Sequence, residues 1–187
     1  DHARSDFLVG RIAAKSAARA LVSRAPAPDQ WEVAPGPNQR PLLAPEFGHS
    51  AVSLAHADSV GIAIVHDAEW RCGVDVELRL RDANDVIATQ VSEAERAWAR
   101  DASDAVEVRE RWLLLWTARE ALGKSFGTGL LDSERLQPTQ NWKHSAFGWR
   151  ADVENDPAVR VCALVAGSFI VSLVLPAGLD PDPLAQW

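Results

Sequence analysis

The sequence predicts an α+β fold with two halves, in each of which helical sequence is combined with short strands. The first half runs from Ser5 to about Ala68, and the second runs from about Cys72 to Leu175. Three observations support this prediction: apolar residues recur at helical spacing in two long segments, strand-like alternation follows each segment, and turn-forming Gly, Asn and Pro separate the strands.

Composition sets the class of protein. With 187 residues, the chain is long enough for one sizeable domain or two closely packed halves, and a hydrophobic content of 47% is ordinary for a globular protein. A net charge of −7 argues against a general nucleic-acid binder. Because no apolar run approaches the roughly 20 residues that span a bilayer, and the first residues are polar, we expect neither a membrane segment nor a signal peptide.

The two cysteines and the chain start add two further expectations. Cys72 and Cys162 lie in apolar, strand-like segments, which predicts buried free thiols and a cytoplasmic location. The chain begins at Asp1 and contains no methionine, so we expect it to be a segment of a longer protein, such as a domain excised from a larger synthase.

The first element is an amphipathic helix from Ser5 to about Arg24, with Ser5 as its N-cap. Its predicted apolar stripe consists of Phe7, Leu8, Ile12, Leu21 and Val22. Its polar side carries the cations Arg4, Arg11, Lys15 and Arg19. These cations form either a solvated basic face or part of an anion-binding site.

An irregular connection and a strand pair follow. Residues Ala25 to Pro45 contain six of the 11 prolines, and loops of this length often carry function, so Arg40 is a candidate binding residue or an ordinary exposed arginine. Ala51 to Val65 then alternates like two strands joined by a turn. His56 precedes that turn, where a lone histidine is usually an ordinary surface or hydrogen-bonded residue.

The next strand carries paired carboxylates. In Cys72 to Glu77, period-two alternation puts Asp75 and Glu77 on one face, and valines on the other. If this face is partly buried, the two like charges need a cation, and oxygen ligands suit Mg²⁺ better than zinc. The alternative is that both carboxylates face solvent on a one-sided sheet.

Two helices follow the acidic strand. Ser92 to Glu95 matches a capping box, Ala102 to Asp104 interrupts the helical pattern, and a long helix then covers Arg111 to a glycine-bearing turn before Leu131. Glu120 and Lys124 lie one turn apart on that helix. Alone they predict a solvated salt bridge, but with the acidic strand they suggest a site for a metal ion and a phosphate.

Three C-terminal strands are predicted over Ala146 to Val153, Val159 to Val165 and Phe169 to Leu175, with a proline-rich tail from Pro176. Two other motifs are excluded. Gly123-Lys124-Ser125 resembles the end of a P-loop, but Ala118 stands where that motif requires glycine. The scattered histidines and cysteines do not match the spacing of a zinc site.

The motifs GVDVE, WTAREALGK and GTGL closely resemble those of 4′-phosphopantetheinyl transferases, most strongly the larger, Sfp-like type that acts on carrier proteins. Arg119 departs from the family's usual lysine but retains its charge. Gln39-Arg40-Pro41 resembles the family's Gly-Lys/Arg-Pro step, and VSLAHADSVGIAIV resembles its strand-turn-strand with His56 in place, although Ala55 and Ala57 replace serines.

The resemblance implies a pseudo-dimer of two similar α/β halves, each a long helix on a small antiparallel sheet, over residues 1–70 and 71–187. It implies an Mg²⁺ ion held by Asp75, Glu77 and Glu120. It also implies a coenzyme A site, with its diphosphate and 3′-phosphate near the basic residues Arg11, Lys15, Arg40, His56 and Lys124. Glu120 and Lys124 would act as catalytic residues.

The implied reaction transfers 4′-phosphopantetheine from coenzyme A to a serine of an acyl or peptidyl carrier protein and releases 3′,5′-ADP. The motifs do not distinguish fatty acid, polyketide and nonribosomal peptide biosynthesis. A non-catalytic coenzyme A-binding or scaffolding domain is the alternative from another class. A different Mg²⁺-dependent phosphotransferase acting on a nucleotide is the enzymatic alternative.

Overall fold

The computed structural model describes residues 2–22, 26–37, 40–80, 87, 89, 91–132, 142–145 and 148–179. Its helices are α1 (His2–Leu21), α2 (Glu93–Arg100) and α3 (Ala105–Phe126), with 3₁₀ turns at Pro45–Phe47 and Gly129–Asp132. Its strands are β1 (Ala34–Pro35), β2 (Pro41–Leu42), β3 (Ser50–Ala57), β4 (Val60–Asp67), β5 (Gly73–Leu78), β6 (Lys143–His144), β7 (Trp149–Asp152), β8 (Val159–Ala166) and β9 (Phe169–Pro176). The mixture of helices and antiparallel strands confirms the α+β prediction.

The strands form a β3–β4 hairpin, a short β1–β2 ladder and a five-stranded antiparallel sheet of order β5-β9-β8-β7-β6. One face of the hairpin packs against α1, and its other face packs against the five-stranded sheet. Helix α3 covers the opposite face of that sheet. The hairpin therefore lies between α1 and the large sheet, and its contact with β5 joins the two halves of the chain.

Helix α1 buries small residues rather than its large apolar ones. Gly10, Ala14 and Ala18, which recur every four positions, face the hairpin. Phe7, Leu8, Ile12 and Leu21 are all exposed. The predicted apolar stripe is therefore wrong for these four residues, because the close approach of α1 to β4 leaves room only for small side chains, whereas Val22, just after the helix, does pack against this core.

Helix α3 has clear signals at both ends. The Asp104 side chain accepts hydrogen bonds from the backbone N–H groups of Val106 and Glu107, and Gly127 ends the helix in a left-handed conformation (φ 72°). Between them, α3 buries leucines and alanines against the sheet in the largest hydrophobic core. At Gly73 the backbone of β5 approaches α3 so closely that an added Cβ would lie 2.0 Å from the Ala121 carbonyl oxygen.

Most of the predicted elements are present, with some changes of boundary. The Ser92–Glu95 capping box, the paired strands at 50–67 and the last two strands are confirmed. Ser5 is not an N-cap, because α1 already begins at His2. The proline-rich connection, expected to be irregular, contains the β1–β2 ladder. Most of the predicted C-terminal tail lies outside the described residues.

The predictions for the cysteines and for the two-half architecture have different outcomes. Cys72 and Cys162 are buried free thiols, as predicted. Each half combines a helix with antiparallel strands, but the hairpin and the five-stranded sheet differ in size, and the pseudo-dimer and its boundary at residues 70/71 stay predictions.

In the described part of the chain, no helix combines the length and the apolar character needed to cross a bilayer.

Candidate functional site

The acidic strand β5 lies at the edge of the five-stranded sheet and turns its carboxylates toward α3. Asp75 pairs with Ser172 and Glu77 with Ile170 in the β5–β9 register. Val74 and Val76 point to the other face and pack against the hairpin. The predicted alternation is confirmed, and Asp75, only 7% exposed, does not face solvent.

Asp75 is a buried carboxylate that forms an ion pair with Lys124. The Lys124 ammonium donates to Asp75 Oδ1 across 2.7 Å. Burial raises the pKa of Asp75 to about 6, against the opposing effect of Lys124, and the charge of Glu120 raises this pKa further. Oδ2 is buried and has no hydrogen-bond partner among the described residues.

Helix α3 supplies the other two residues predicted for this region. Glu120 and Lys124 lie one turn apart and are each partly buried. The alternative of a simple salt bridge between them does not describe Lys124, since its ammonium reaches Asp75 on the neighbouring strand. The negative charge of Glu120 also acts on Asp75 and raises the pKa of that carboxyl.

A cleft of about 580 Å³ opens beside this pair. Its wall contains Lys124, three further cationic or basic residues (Arg11, Arg40 and His56), and the backbone of Gly123, Gly127 and Gly129. These four side chains come from α1, the proline-rich connection, β3 and α3, so residues far apart in sequence converge on one cavity. Such a concentration of positive charge in a concave surface suits a polyphosphate ligand.

Arg40 and Arg11 each have a defined contact in this wall. Arg40 lies against the C-terminal end of α3, where its guanidinium donates to the Ser125 carbonyl oxygen at 3.4 Å and approaches Gly127. This places a cation at the negative end of the helix dipole. The Arg11 guanidinium lies 4.3 Å from the centre of the exposed Phe7 ring.

Lys15 is the predicted binding residue that the structure does not bring to the cleft. Its ammonium donates to the carbonyl oxygens of Pro28 and Trp31, at 2.6 Å for Trp31, and lies 5.2 Å from the Trp31 ring centre. Lys15 lines a separate depression with Arg19 and Pro28. In this arrangement it holds the loop after α1, and its expected role toward coenzyme A stays a prediction.

The predicted metal ligands form no closed cluster. Among the described residues, no three Asp, Glu, His or Cys side chains lie close enough together to hold a metal ion. The donor chemistry nevertheless fits Mg²⁺, because Asp75, Glu77 and Glu120 offer only carboxylate oxygens and the buried Asp75 Oδ2 accepts no hydrogen bond from the part of the chain that the structure describes. These residues therefore suit an oxygen-coordinated cation, and the ligand set stays a prediction.

Sequence reasoning missed two residues at the site. The Ser53 hydroxyl accepts a hydrogen bond from the Val74 backbone N–H at 3.1 Å, which ties β3 to the open edge of β5 next to Asp75. Glu32 is an acidic residue in the otherwise cationic cleft wall. Ser53 and His56 are three residues apart on β3, so their side chains leave opposite faces of the strand, and the sequence gives no signal for the contact of Ser53 with β5. Nothing in the sequence around Glu32 indicates its location either.

Comparison with known proteins adds one finding. The family model described as 4′-phosphopantetheinyl transferase superfamily matches residues 71–171, which is more than half of the 187 residues. The matched segment includes β5, α2, α3 and most of the five-stranded sheet, and therefore Asp75, Glu77, Glu120 and Lys124. No curated protein matches the chain.

Proposed function

The chain belongs to the 4′-phosphopantetheinyl transferase superfamily, and we propose that it transfers 4′-phosphopantetheine from coenzyme A to a serine of an acyl or peptidyl carrier protein. Within the superfamily we assign it to the larger, Sfp-like type, because basic residues from the N-terminal half complete the cleft. The observation that supports this function best is the convergence of Arg11, Arg40, His56 and Lys124 on one cavity beside the buried Asp75.

The cleft has the charge that coenzyme A requires. This ligand carries a diphosphate and a separate 3′-phosphate, so it needs several cations spread along one surface. In the proposal, Lys124 and His56 bind the diphosphate, and Arg11 and Arg40 bind the remaining phosphate charge. The apolar part of the wall, which includes Val33, would contact the uncharged parts of the ligand.

The proposed reaction is an in-line displacement at phosphorus. The serine oxygen of the carrier forms a bond to the phosphorus that bears the pantetheine arm, and the bond from this phosphorus to the bridging diphosphate oxygen breaks. The electron pair of that bond leaves with 3′,5′-ADP. Glu120 accepts the serine proton, and Lys124 stabilises the negative charge that develops on the phosphate oxygens.

Asp75, Glu77 and Glu120 would hold an Mg²⁺ ion, whose chemistry when bound is to neutralise the diphosphate charge. Burial prepares Asp75 for this role, since a desolvated carboxylate gains more from a cation than a solvated one does. Lys124 partly compensates the Asp75 charge in the structure, and it is free to turn toward a phosphate when another cation takes over that compensation.

The test is transfer to an apo carrier protein followed by mass spectrometry. Incubation with coenzyme A and Mg²⁺ should add the mass of one phosphopantetheine group to the carrier, and 3′,5′-ADP should appear in equal amount. EDTA should abolish both changes. Lys124→Met should lose most of the activity, whereas the matched variant Lys143→Met should keep it, because Lys143 lies exposed on β6.

Other outcomes identify the alternatives. Coenzyme A binding without transfer to any of several carriers would contradict the proposal and indicate a scaffolding domain. Formation of an ordinary nucleoside diphosphate in place of 3′,5′-ADP would indicate a different phosphotransferase. Carriers from fatty acid, polyketide and nonribosomal peptide synthesis should be tested in parallel, because the cleft residues do not distinguish among them.

A further inference from the structure

A buried ion pair joins α2 to α3 immediately beside the proposed catalytic residue Glu120. Arg119 Nη2 lies 2.5 Å from Glu95 Oε2, and both side chains are almost completely buried, with exposures of 2% and 1%. A buried guanidinium requires a close partner, because removing it from water is expensive. Arg119 therefore points away from the cleft and into the protein, although it is next to Glu120 in the proposed catalytic motif.

The same Glu95 oxygen also closes the capping box of α2. Oε2 accepts the Ser92 backbone N–H at 2.7 Å, while the Ser92 hydroxyl accepts the Glu95 backbone N–H at 3.3 Å. The Glu95 carboxylate that pairs with Arg119 is thus held in place by the backbone at the start of α2. It fixes the beginning of α2, and this helix holds Arg119 from one side.

A second attachment holds α3 from the other side. The hydroxyls of Thr117 and Ser172 lie 2.7 Å apart in the core, which ties α3 to β9 beside the strand position of Asp75. At about 100° per residue, the side chains of Thr117 and Arg119 leave the helix about 200° apart. Attachments on opposite sides resist both rotation and sliding of the helix.

From this arrangement we infer that Glu95 and Arg119 are positioning residues that fix the rotation of α3 so that Glu120 and Lys124 face Asp75. Glu120 follows Arg119 directly, so any rotation of the helix at Arg119 moves Glu120 by the same angle. Lys124, one turn later, depends on the same setting to reach Asp75 Oδ1. The inference rests on the proposed function, since it assigns these two residues to the same reaction.

The positions of the cleft cations on other elements should depend less on the Glu95–Arg119 pair than the positions of Glu120 and Lys124 do. Arg11 is on α1 and His56 on β3, both outside α2 and α3, whereas Arg40 belongs to the proline-rich connection but contacts the end of α3 at Ser125. Loss of the pair should therefore affect the chemical step and the carboxylate site more than it affects coenzyme A binding. A purely structural role would instead lower the folded fraction and change all parameters together.

The test variant is Glu95→Gln combined with Arg119→Met. Glutamine keeps the capping box, and replacing both charges together avoids an unpaired buried ion, so the double variant should fold. The matched control is Asp152→Asn with Arg160→Met, which removes a surface ion pair on β7 and β8. Circular dichroism should show folded protein for both.

We expect kcat of the test variant to fall at least tenfold, and the KM for coenzyme A to rise by a clearly smaller factor, because only Lys124 among the four proposed phosphate contacts belongs to α3. Mn²⁺ affinity, measured by electron paramagnetic resonance without coenzyme A, should weaken at least threefold. Arg119→Lys alone should retain most of the wild-type kcat, because it keeps the charge opposite Glu95. The control should match the wild-type protein in each measurement.

The outcomes separate this inference from the proposed function. A folded double variant with unchanged kcat and Mn²⁺ affinity, or with every parameter reduced by the same factor, overturns the positioning role. If the wild-type protein transfers no phosphopantetheine, the proposed function fails, and the Mn²⁺ affinities of the two proteins then decide the positioning role alone. A wild-type protein that neither transfers nor binds Mn²⁺ overturns both.

Discussion

The ammonium of Lys124 lies 2.7 Å from Asp75 Oδ1, so the last turn of α3 is tied to the middle of β5. This contact does not fully compensate the buried charge, because burial still raises the pKa of Asp75 to about 6. The raised pKa means that the folded protein disfavours the ionised form, so a neutral side chain of the same shape would be more stable at this position. The presence of a carboxylate therefore agrees with a use for the charge in binding or catalysis.

Asp75→Asn should stabilise the protein at neutral pH while it abolishes transfer. The rise in pKa from 3.8 to about 6 corresponds to a penalty of about 2–3 kcal/mol for the ionised form. Without divalent ions, the variant should therefore unfold roughly 5–10 °C above the wild-type protein at pH 7.5. The exposed residue Asp29 offers the control Asp29→Asn, which should leave the unfolding temperature unchanged.

The pH dependence of that difference has a definite sign. Between about pH 4 and pH 6 the native state holds a proton on Asp75 that the unfolded state has lost, so rising pH destabilises the wild-type protein relative to Asp75→Asn. Below about pH 4 the difference should disappear, and above about pH 6 it should be constant. Equal unfolding temperatures for the two proteins across this range would contradict the raised pKa.

Arg40→Gln should weaken coenzyme A binding without a comparable effect on the chemical step. A lost hydrogen bond from a charged donor is worth about 1.5–3 kcal/mol, which corresponds to a KM for coenzyme A that is about 10–100-fold higher. Salt should raise the KM of the wild-type protein more steeply than that of the variant. Initial rates at several salt concentrations test this.

A matched control for Arg40 is Arg100→Gln, which changes an exposed arginine at the end of α2, away from the cleft. Its KM should equal that of the wild-type protein. An Arg40→Gln variant with an unchanged KM would remove Arg40 from the proposed binding site.

The sequence was sufficient where a feature depends on local pattern. Alternation along β5 predicted the shared face of Asp75 and Glu77, and the Ser92–Glu95 spacing predicted a complete capping box. Prediction from the sequence failed where tertiary packing decides which side chains are buried. The buried side of α1 consists of Gly10, Ala14 and Ala18, because the hairpin approaches too closely for the larger residues that hydrophobicity favoured.

Contacts between segments that are distant in sequence could not be predicted from local sequence patterns either. Lys124 was expected to pair with Glu120 or a phosphate, but the packing of α3 on β5 brings it to Asp75. Arg119 was interpreted through its charge alone, and its partner Glu95, 24 residues earlier, follows only from the way α2 packs on α3. Such pairs need the three-dimensional arrangement because many carboxylates in the sequence are equally plausible partners.

Ser53→Ala should destabilise the junction between the hairpin and β5. It leaves the buried Val74 backbone N–H without its acceptor, at a cost of about 1–3 kcal/mol in the free energy of unfolding. Urea unfolding measures this loss, and hydrogen exchange should show faster exchange at the Val74 amide. Ser59→Ala, in the exposed turn after β3, is the control and should change neither value. An unchanged Val74 exchange rate in Ser53→Ala would show that this hydrogen bond does not hold the edge of β5.

Gly73→Ala should separate the two elements that carry the candidate site. A Cβ at Gly73 would lie 2.0 Å from the Ala121 carbonyl oxygen and 3.0 Å from the Ser125 backbone nitrogen, so β5 or α3 must shift. Overpacking of this kind typically costs about 1–3 kcal/mol, and here the atoms that must move are backbone atoms. We expect a lower urea midpoint and a loss of transfer activity larger than the loss of folded protein, because Asp75 and Lys124 would move apart.

Gly178→Ala is the matched control, since an added Cβ there meets no atom within 4 Å. Gly73→Ala with wild-type stability and activity would show that the close contact between β5 and α3 does not set the distance between Asp75 and Lys124.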